Sequence, residues 1–107
     1  MSTTDTSHET DLHIPSSHPA LAGHFPDRPI VPAVVLLDCV LLEAERWLGR
    51  RLSINVLAQA KFTAPLLPEQ QARMKLELQD AQLRFALTRE GRSLAQGTFR
   101  IANRTDA

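Results

Sequence analysis

The stretch HPALAGHFPDRPIVPAVVLLDCVLLEAE, His18 to Glu45, decides how the rest of this chain must fold. It passes from a loop punctuated by Pro26, Pro29 and Pro32 into a run that is apolar almost all the way round. Each proline fixes φ and removes a backbone donor, so the loop is stiff and holds His24, set between Gly23 and Phe25, in few orientations. From Ala33 to Leu42 the only polar side chain of consequence is Asp38. A helix hydrophobic on every face is one that other elements surround. A central helix is therefore expected, with Asp38 buried in it. A buried carboxylate must be paired, hydrogen-bonded or held protonated, and the last state is what a general acid requires.

The ends of the helix are marked. Pro32 suits the first turn, where its missing N–H would have no partner anyway. Gly49 suits the C-cap, and Arg50 and Arg51 follow where cations complement the dipole. These signals predict a helix from about Ala33 to Leu48. Beyond it the period changes to two. Leu52, Ile54, Val56, Ala58, Ala60 and Phe62 alternate with Ser53, Asn55, Leu57, Gln59 and Lys61, as in a strand with one face on a core. Met74, Leu76 and Leu78, then Leu83, Phe85 and Leu87, repeat the pattern. Glu90-Gly91 marks a tight turn, and 93–102 returns with Ala95, Gly97, Phe99 and Ile101 on one face. A short first strand is expected at Asp11–Ile14, ended by Pro15. The fold class is α+β, an antiparallel sheet curled about one central helix. Residues 1–10 and 103–107 are expected as tails flanking a single domain at 11–102.

Composition narrows the function. A chain of 107 residues holds one core. Lys plus Arg and Asp plus Glu stand at 12 each, a balance that argues against nucleic acid, whose phosphates call for a basic excess. The first nine residues have neither a basic nor an apolar segment and read as a tail, not a signal peptide. The apolar run ends at Leu42, short of the ~20 residues of a membrane span. Cys39 is alone, so no intramolecular disulfide exists, and a reduced core thiol suits a cytoplasmic protein. His8, His13 and His18 lack zinc-ligand spacing and read as surface histidines. No metal or nicotinamide is expected, and no glycine-rich phosphate loop is present to hold a nucleotide cofactor.

The run from His24 to Ala33, HFPDRPIVPA, followed by Asp38, resembles the active-site signature of the 3-hydroxyacyl-ACP dehydratases, H-F-P-G-x-P-x-x-P-G and then an acid. The interval matches as well, Asp38 lying fourteen positions after His24. AKFTAPLLP at 60–68 is similar to the family's K-F-x-x-P-V-x-P strand, so the likeness spans about four fifths of the chain. The resemblance implies a hot-dog fold and a homodimer or higher oligomer in which the histidine of one subunit faces the acid of the other. It implies His24 as the base at C2 of a 3-hydroxyacyl thioester and Asp38 as the acid at the C3 hydroxyl. The Ala33 N–H would meet the thioester carbonyl, with Phe25 and Val34 also against the substrate. Asp27 and Ala33 replace the motif glycines, and Leu42 stands where a glutamine is common. Asp in place of Glu, together with the missing glutamine, resembles the shorter ApeI-like branch tied to aryl-polyene pathways.

The implied partner is an acyl thioester on an acyl carrier protein or CoA. Arg28, Arg46, Arg50, Arg51 and Lys61 are the basic residues that would attract either. Two other readings stay open at this level. Hot-dog acyl-thioester hydrolases use a helix carboxylate of this kind, and a non-catalytic acyl-binding partner subunit would keep the fold while the motif drifts.

Overall fold

The computed structural model describes residues 7–18 and 30–102. Along the chain run β1 (Ser7–His13), α1 (Ala33–Leu48), β2 (Ile54–Phe62), β3 (Gln71–Gln79), β4 (Gln82–Arg89) and β5 (Arg92–Ile101). The five strands form one sheet in the order β1-β3-β4-β5-β2, antiparallel at every pairing. This is the architecture expected from the sequence. Helix α1 ends as its signals dictate: Gly49 takes the left-handed conformation at φ 72° and its N–H donates to the Glu45 carbonyl at 2.8 Å. Glu90 and Gly91 carry positive φ, 52° and 80°, which suits the two-residue turn of a twisted hairpin.

The core forms where the helix meets the inner face of the sheet. Val35, Leu36, Val40 and Ala44 are the buried stripe of α1. They share one cluster with Met74 and Leu76 of β3, Leu83, Phe85 and Leu87 of β4, and Ala95, Phe99 and Ile101 of β5. Alternation in β3, β4 and β5 is as expected. In β2 it is not, because the register with β5 shifts between Ile54 and Val56 and again between Leu57 and Gln59. Leu57 thereby falls opposite buried Phe99, and Val56 opposite exposed Arg100. An irregularity that inserts a residue swaps faces downstream, and a period-two reading has no means of seeing it.

Two further expectations are corrected. The first strand begins at Ser7, four residues before the expected Asp11, and pairs with β3 from Ser7↔Glu77 to His13↔Gln71. His8 is accordingly no plain surface histidine. Its ring stacks on Trp47 at 5.4 Å between centroids, and its Nε2 lies 2.8 Å from Glu43 Oε2. Glu43 and Trp47, one helical turn apart, make a slot for a residue that sequence alone leaves in a tail.

More consequential is how much of the helix is covered. Five strands at normal spacing span only ~19 Å, whereas the circumference of a helix ~10 Å across is about 31 Å. The five described strands do not enclose the helix. The face opposite the buried stripe, carrying Val34, Asp38 and Leu42 at intervals of four, is open: Val34 is 66% and Leu42 62% exposed, and Asp38 is exposed between them. The burial of Asp38 expected from sequence does not arise within a single chain.

At Gly97 of β5 the backbone of β2 and the Phe85 ring of β4 come close. A Cβ there would meet the Gln59 carbonyl oxygen of β2 and come within 2.7 Å of Phe85 Cζ. Gly97→Ala is expected to cost about 1–3 kcal/mol, through displacement of backbone as well as of the Phe85 ring. Urea denaturation should show a lower midpoint at unchanged m, and an unchanged midpoint would contradict the contact.

Glu69, held at φ 70°, ties the end of β1 to the β2–β3 connection. Its N–H donates to the Ile14 carbonyl at 2.8 Å, and its carboxylate accepts from the Ser16 N–H at 2.7 Å with His13 Nε2 3.1 Å away. The Ser16 hydrogen bond, with a smaller contribution from His13, holds the Glu69 carboxyl below its usual range. A depressed carboxylate contributes stability above its unfolded pKa and loses it as pH falls through the folded value. Glu69→Gln should therefore be less stable than wild type at pH 7, with the gap closing below about pH 4. Unfolding free energies across that range test this, and a gap that persists in acid would refute it.

Candidate active site

The N-terminus of α1 presents backbone donors at the positive end of its dipole. Pro32 caps the helix in extended conformation without a side-chain hydrogen bond, and no acidic residue occupies the first turn. The Val35 and Leu36 N–H groups bond to the Pro32 carbonyl at 3.0 and 3.3 Å. That leaves the Ala33 and Val34 N–H groups at the positive end of the dipole without a backbone acceptor among the described residues. Position is fixed from below, since the buried Val31 donates its N–H to the Leu66 carbonyl at 2.8 Å, and Leu66 is itself fully buried.

Next to this helix end lies an apolar cleft of about 300 Å³, lined by Ile30, Val31, Ala33 and Leu36 on one side and by Phe62 to Leu66 on the other. The second wall is part of the AKFTAPLLP segment. Thr63 locks that wall to β5 by donating its N–H to the Leu94 carbonyl at 2.8 Å and its hydroxyl to the Ser93 carbonyl at 2.9 Å. Ala33, expected from sequence to meet a thioester carbonyl, lines the cleft. Val34 does not line it and projects on the open face. Phe62 and Leu66 are cleft residues that sequence reasoning did not single out, although the segment bearing them was noticed.

Asp38 stands five residues farther along, ~7.5 Å up the helix axis. Val34 and Leu42 flank it one turn to either side on the exposed face. At one edge of the sheet stands β2, with only β5 as partner. Leu57 and Phe62 on its inner side are 36% and 41% exposed. Exposed apolar side chains grouped on a helix face, and a strand edge without a neighbour, are features that partner chains commonly cover. His24 and Phe25, the other two expected site residues, lie outside the described residues, as does Arg28. Of the remaining expected cations, Arg46 reaches Glu43 at 3.5 Å, Arg50 and Arg51 are exposed beyond the helix, and Lys61 points to the outer side of the sheet.

Cys39 is half-buried beside Asp38. Burial pushes its thiol above the ordinary range, and the neighbouring Asp38 charge pushes it further. The pH–rate profile for alkylation by iodoacetamide should therefore have its midpoint above that of a free cysteine, and Asp38→Asn should move the midpoint down. A profile unmoved by Asp38→Asn would contradict the contribution of Asp38 and leave burial as the cause.

This geometry has close counterparts. A dehydratase heterocomplex, ApeI:P, from Xenorhabdus doucetiae superposes with a TM-score of 0.85 over 96% of this chain and 93% of that one, at 22% identity. An uncharacterized protein from Erwinia carotovora subsp. atroseptica does so with 0.78 over 98% and 91%, at 24% identity. An acyl-CoA hydrolase from Staphylococcus aureus follows with 0.61 over 94% and 68%, at 8% identity. At these identities the likeness establishes the hot-dog fold and carries no activity with it. Among the described residues, no helix is long and apolar enough to cross a membrane. The family model for the ApeI-like dehydratases matches residues 1–98, and this chain belongs to that family.

Proposed function

We propose that the protein dehydrates a 3-hydroxyacyl thioester to the trans-2-enoyl thioester, with His24 as base and Asp38 as acid. The observation that carries this reading is the coincidence on one helix of an acid on an exposed apolar face and an N-terminus without a side-chain cap beside an apolar cleft, in a chain of the ApeI-like dehydratase family. The acyl chain would lie in the cleft, with its thioester carbonyl toward the Ala33 N–H.

The chemistry then follows from charge. A neutral His24 imidazole removes a proton from C2, and the negative charge spreading onto the thioester oxygen is met by the helix N-terminus. The C3–O bond breaks as Asp38 donates its proton, so the leaving group is water and not hydroxide. The electron pair of the C2–H bond becomes the C2=C3 double bond. His24 leaves the step protonated and Asp38 ionised, and a proton passing from one to the other, directly or by solvent, restores the pair.

The acid role requires Asp38 out of bulk water, which a second hot-dog chain laid on the Val34–Asp38–Leu42 face and the β2 edge would provide. Desolvation favours the neutral form of a carboxyl. A homodimer meets the need, and the heteromeric state of the Xenorhabdus complex supports the idea that such faces are closed between chains. A carrier protein or CoA would deliver the thioester, in fatty-acid or polyene synthesis.

Purified protein incubated with 3-hydroxyacyl thioesters on carrier protein and on CoA should yield enoyl products, read as loss of water by mass spectrometry. His24→Ala and Asp38→Asn should each lower the rate by about 10²- to 10⁴-fold with the fold intact by circular dichroism. Release of free thiol would assign a hydrolase instead, and binding without turnover a non-catalytic acyl-binding subunit.

A further inference from the structure

The outer face of the sheet, turned away from the helix, carries a second cleft of about 420 Å³. Its walls come from the edges of one cross-strand row. Lys75 of β3, Ala86 of β4, Gln96 of β5 and Lys61 of β2 follow one another in register, and Arg84 stands in the next row opposite Thr98. The walls are three strand spacings apart, ~14 Å, so both lysine side chains are long enough to reach inward over the methyl group of Ala86.

These cations differ from Arg73 on the same face. Arg73, one pair along β3, is neutralised by Asp11 at 2.7 Å and approached by Glu9 at 3.8 Å. Lys61, Lys75 and Arg84 have no ion pair among the described residues, although Glu77 stands opposite Arg84 in register and also lines the cleft. In a chain of zero formal charge, three unneutralised cations against one carboxylate in a single concavity form a local excess. The other polar groups of the lining, the Gln59 and Gln96 amides and the Thr98 hydroxyl, can all donate.

We infer that this outer cleft is a binding site for a phosphate-bearing small anion, with Lys61, Lys75 and Arg84 as its cationic contacts. Phosphate fits better than carboxylates strung along an acidic peptide. The cations surround one small concavity of ligand size, which suits concentrated charge, and the Arg84 guanidinium presents the planar fork that pairs with phosphate oxygens. The site lies on the face opposite the helix and does not depend on the dehydratase reading.

Isothermal titration of the full chain with inorganic pyrophosphate and triphosphate tests it. Binding is expected for both, weakening as salt is raised, with Lys75→Gln or Arg84→Gln reducing affinity at least ~tenfold and Lys61→Gln also weakening it. Glu77→Gln should tighten binding, because it removes the one repulsive group. Arg92→Gln, exposed at the start of β5 and outside the cleft, should leave affinity unchanged. All of these side chains are exposed, so the variants should fold, and thermal denaturation verifies it. Absence of pyrophosphate binding would overturn the inference. So would an equal loss in Arg92→Gln, which means diffuse attraction, or binding of a poly-glutamate peptide without pyrophosphate, which means an acidic protein partner.

Discussion

The rest of the molecule depends on how the stripe of Val35, Leu36, Val40 and Ala44 seats against the inner face of the sheet. Val40 and Ala44 are fully buried, and each large aliphatic side chain so placed contributes about 1.5–3 kcal/mol. The stripe fixes the rotation of α1 about its own axis, and that rotation decides everything on the other side. With 36, 40 and 44 turned inward, 34, 38 and 42 are turned outward. Asp38 is therefore placed by the core, although it makes no part of it. A change that rotated the helix would bury a carboxylate in one direction and expose the core in the other, so the position of the acid is protected by the same free energy that holds the fold.

Much of this was legible in the chain. The helix bounds follow from Pro32 and Gly49, which act through backbone geometry alone, and the strands of the β3–β4–β5 meander follow from alternation, since one of their faces is dry and the other wet. What the sequence does not carry is the shape that pairing takes. The two register shifts in β2 exchange the faces of Val56 and Leu57, and nothing in their side chains announces it. His8 reads as a tail residue because its partners, Glu43 and Trp47, are distant in sequence. The exposure of Asp38 was hidden for a different reason. Uniform apolarity says that a helix is to be covered, and it is silent on whether the cover belongs to the same chain.

The candidate site divides along the same line. The motif interval between His24 and Asp38, and the segment 60–68, were visible as a resemblance, and the family assignment over residues 1–98 agrees with it. The cleft between Ala33 and Phe62, the seating of Val31 on Leu66 and the apolar flanks of Asp38 came only from the fold. Leu42 illustrates the difference. In sequence it is a departure from the dehydratase pattern; in the structure it is one of two aliphatic neighbours of the acid, and a second chain laid over it would close a dry wall about Asp38. Loss of a polar group at that position is compatible with a general acid, because the acid needs low polarity more than it needs another hydrogen bond.

The proposed dehydration calls for a site shared between chains, one giving His24 and the other Asp38. Mixing inactive His24→Ala protein with inactive Asp38→Asn protein, after mild denaturation and refolding to exchange subunits, tests it most directly. Half of the resulting dimers would pair one of each variant and carry one intact site of two, so activity should return to about a quarter of the wild-type level. A mixture that stays inactive while the wild type, treated alike, recovers would place both groups in one chain or remove the pair from the chemistry altogether.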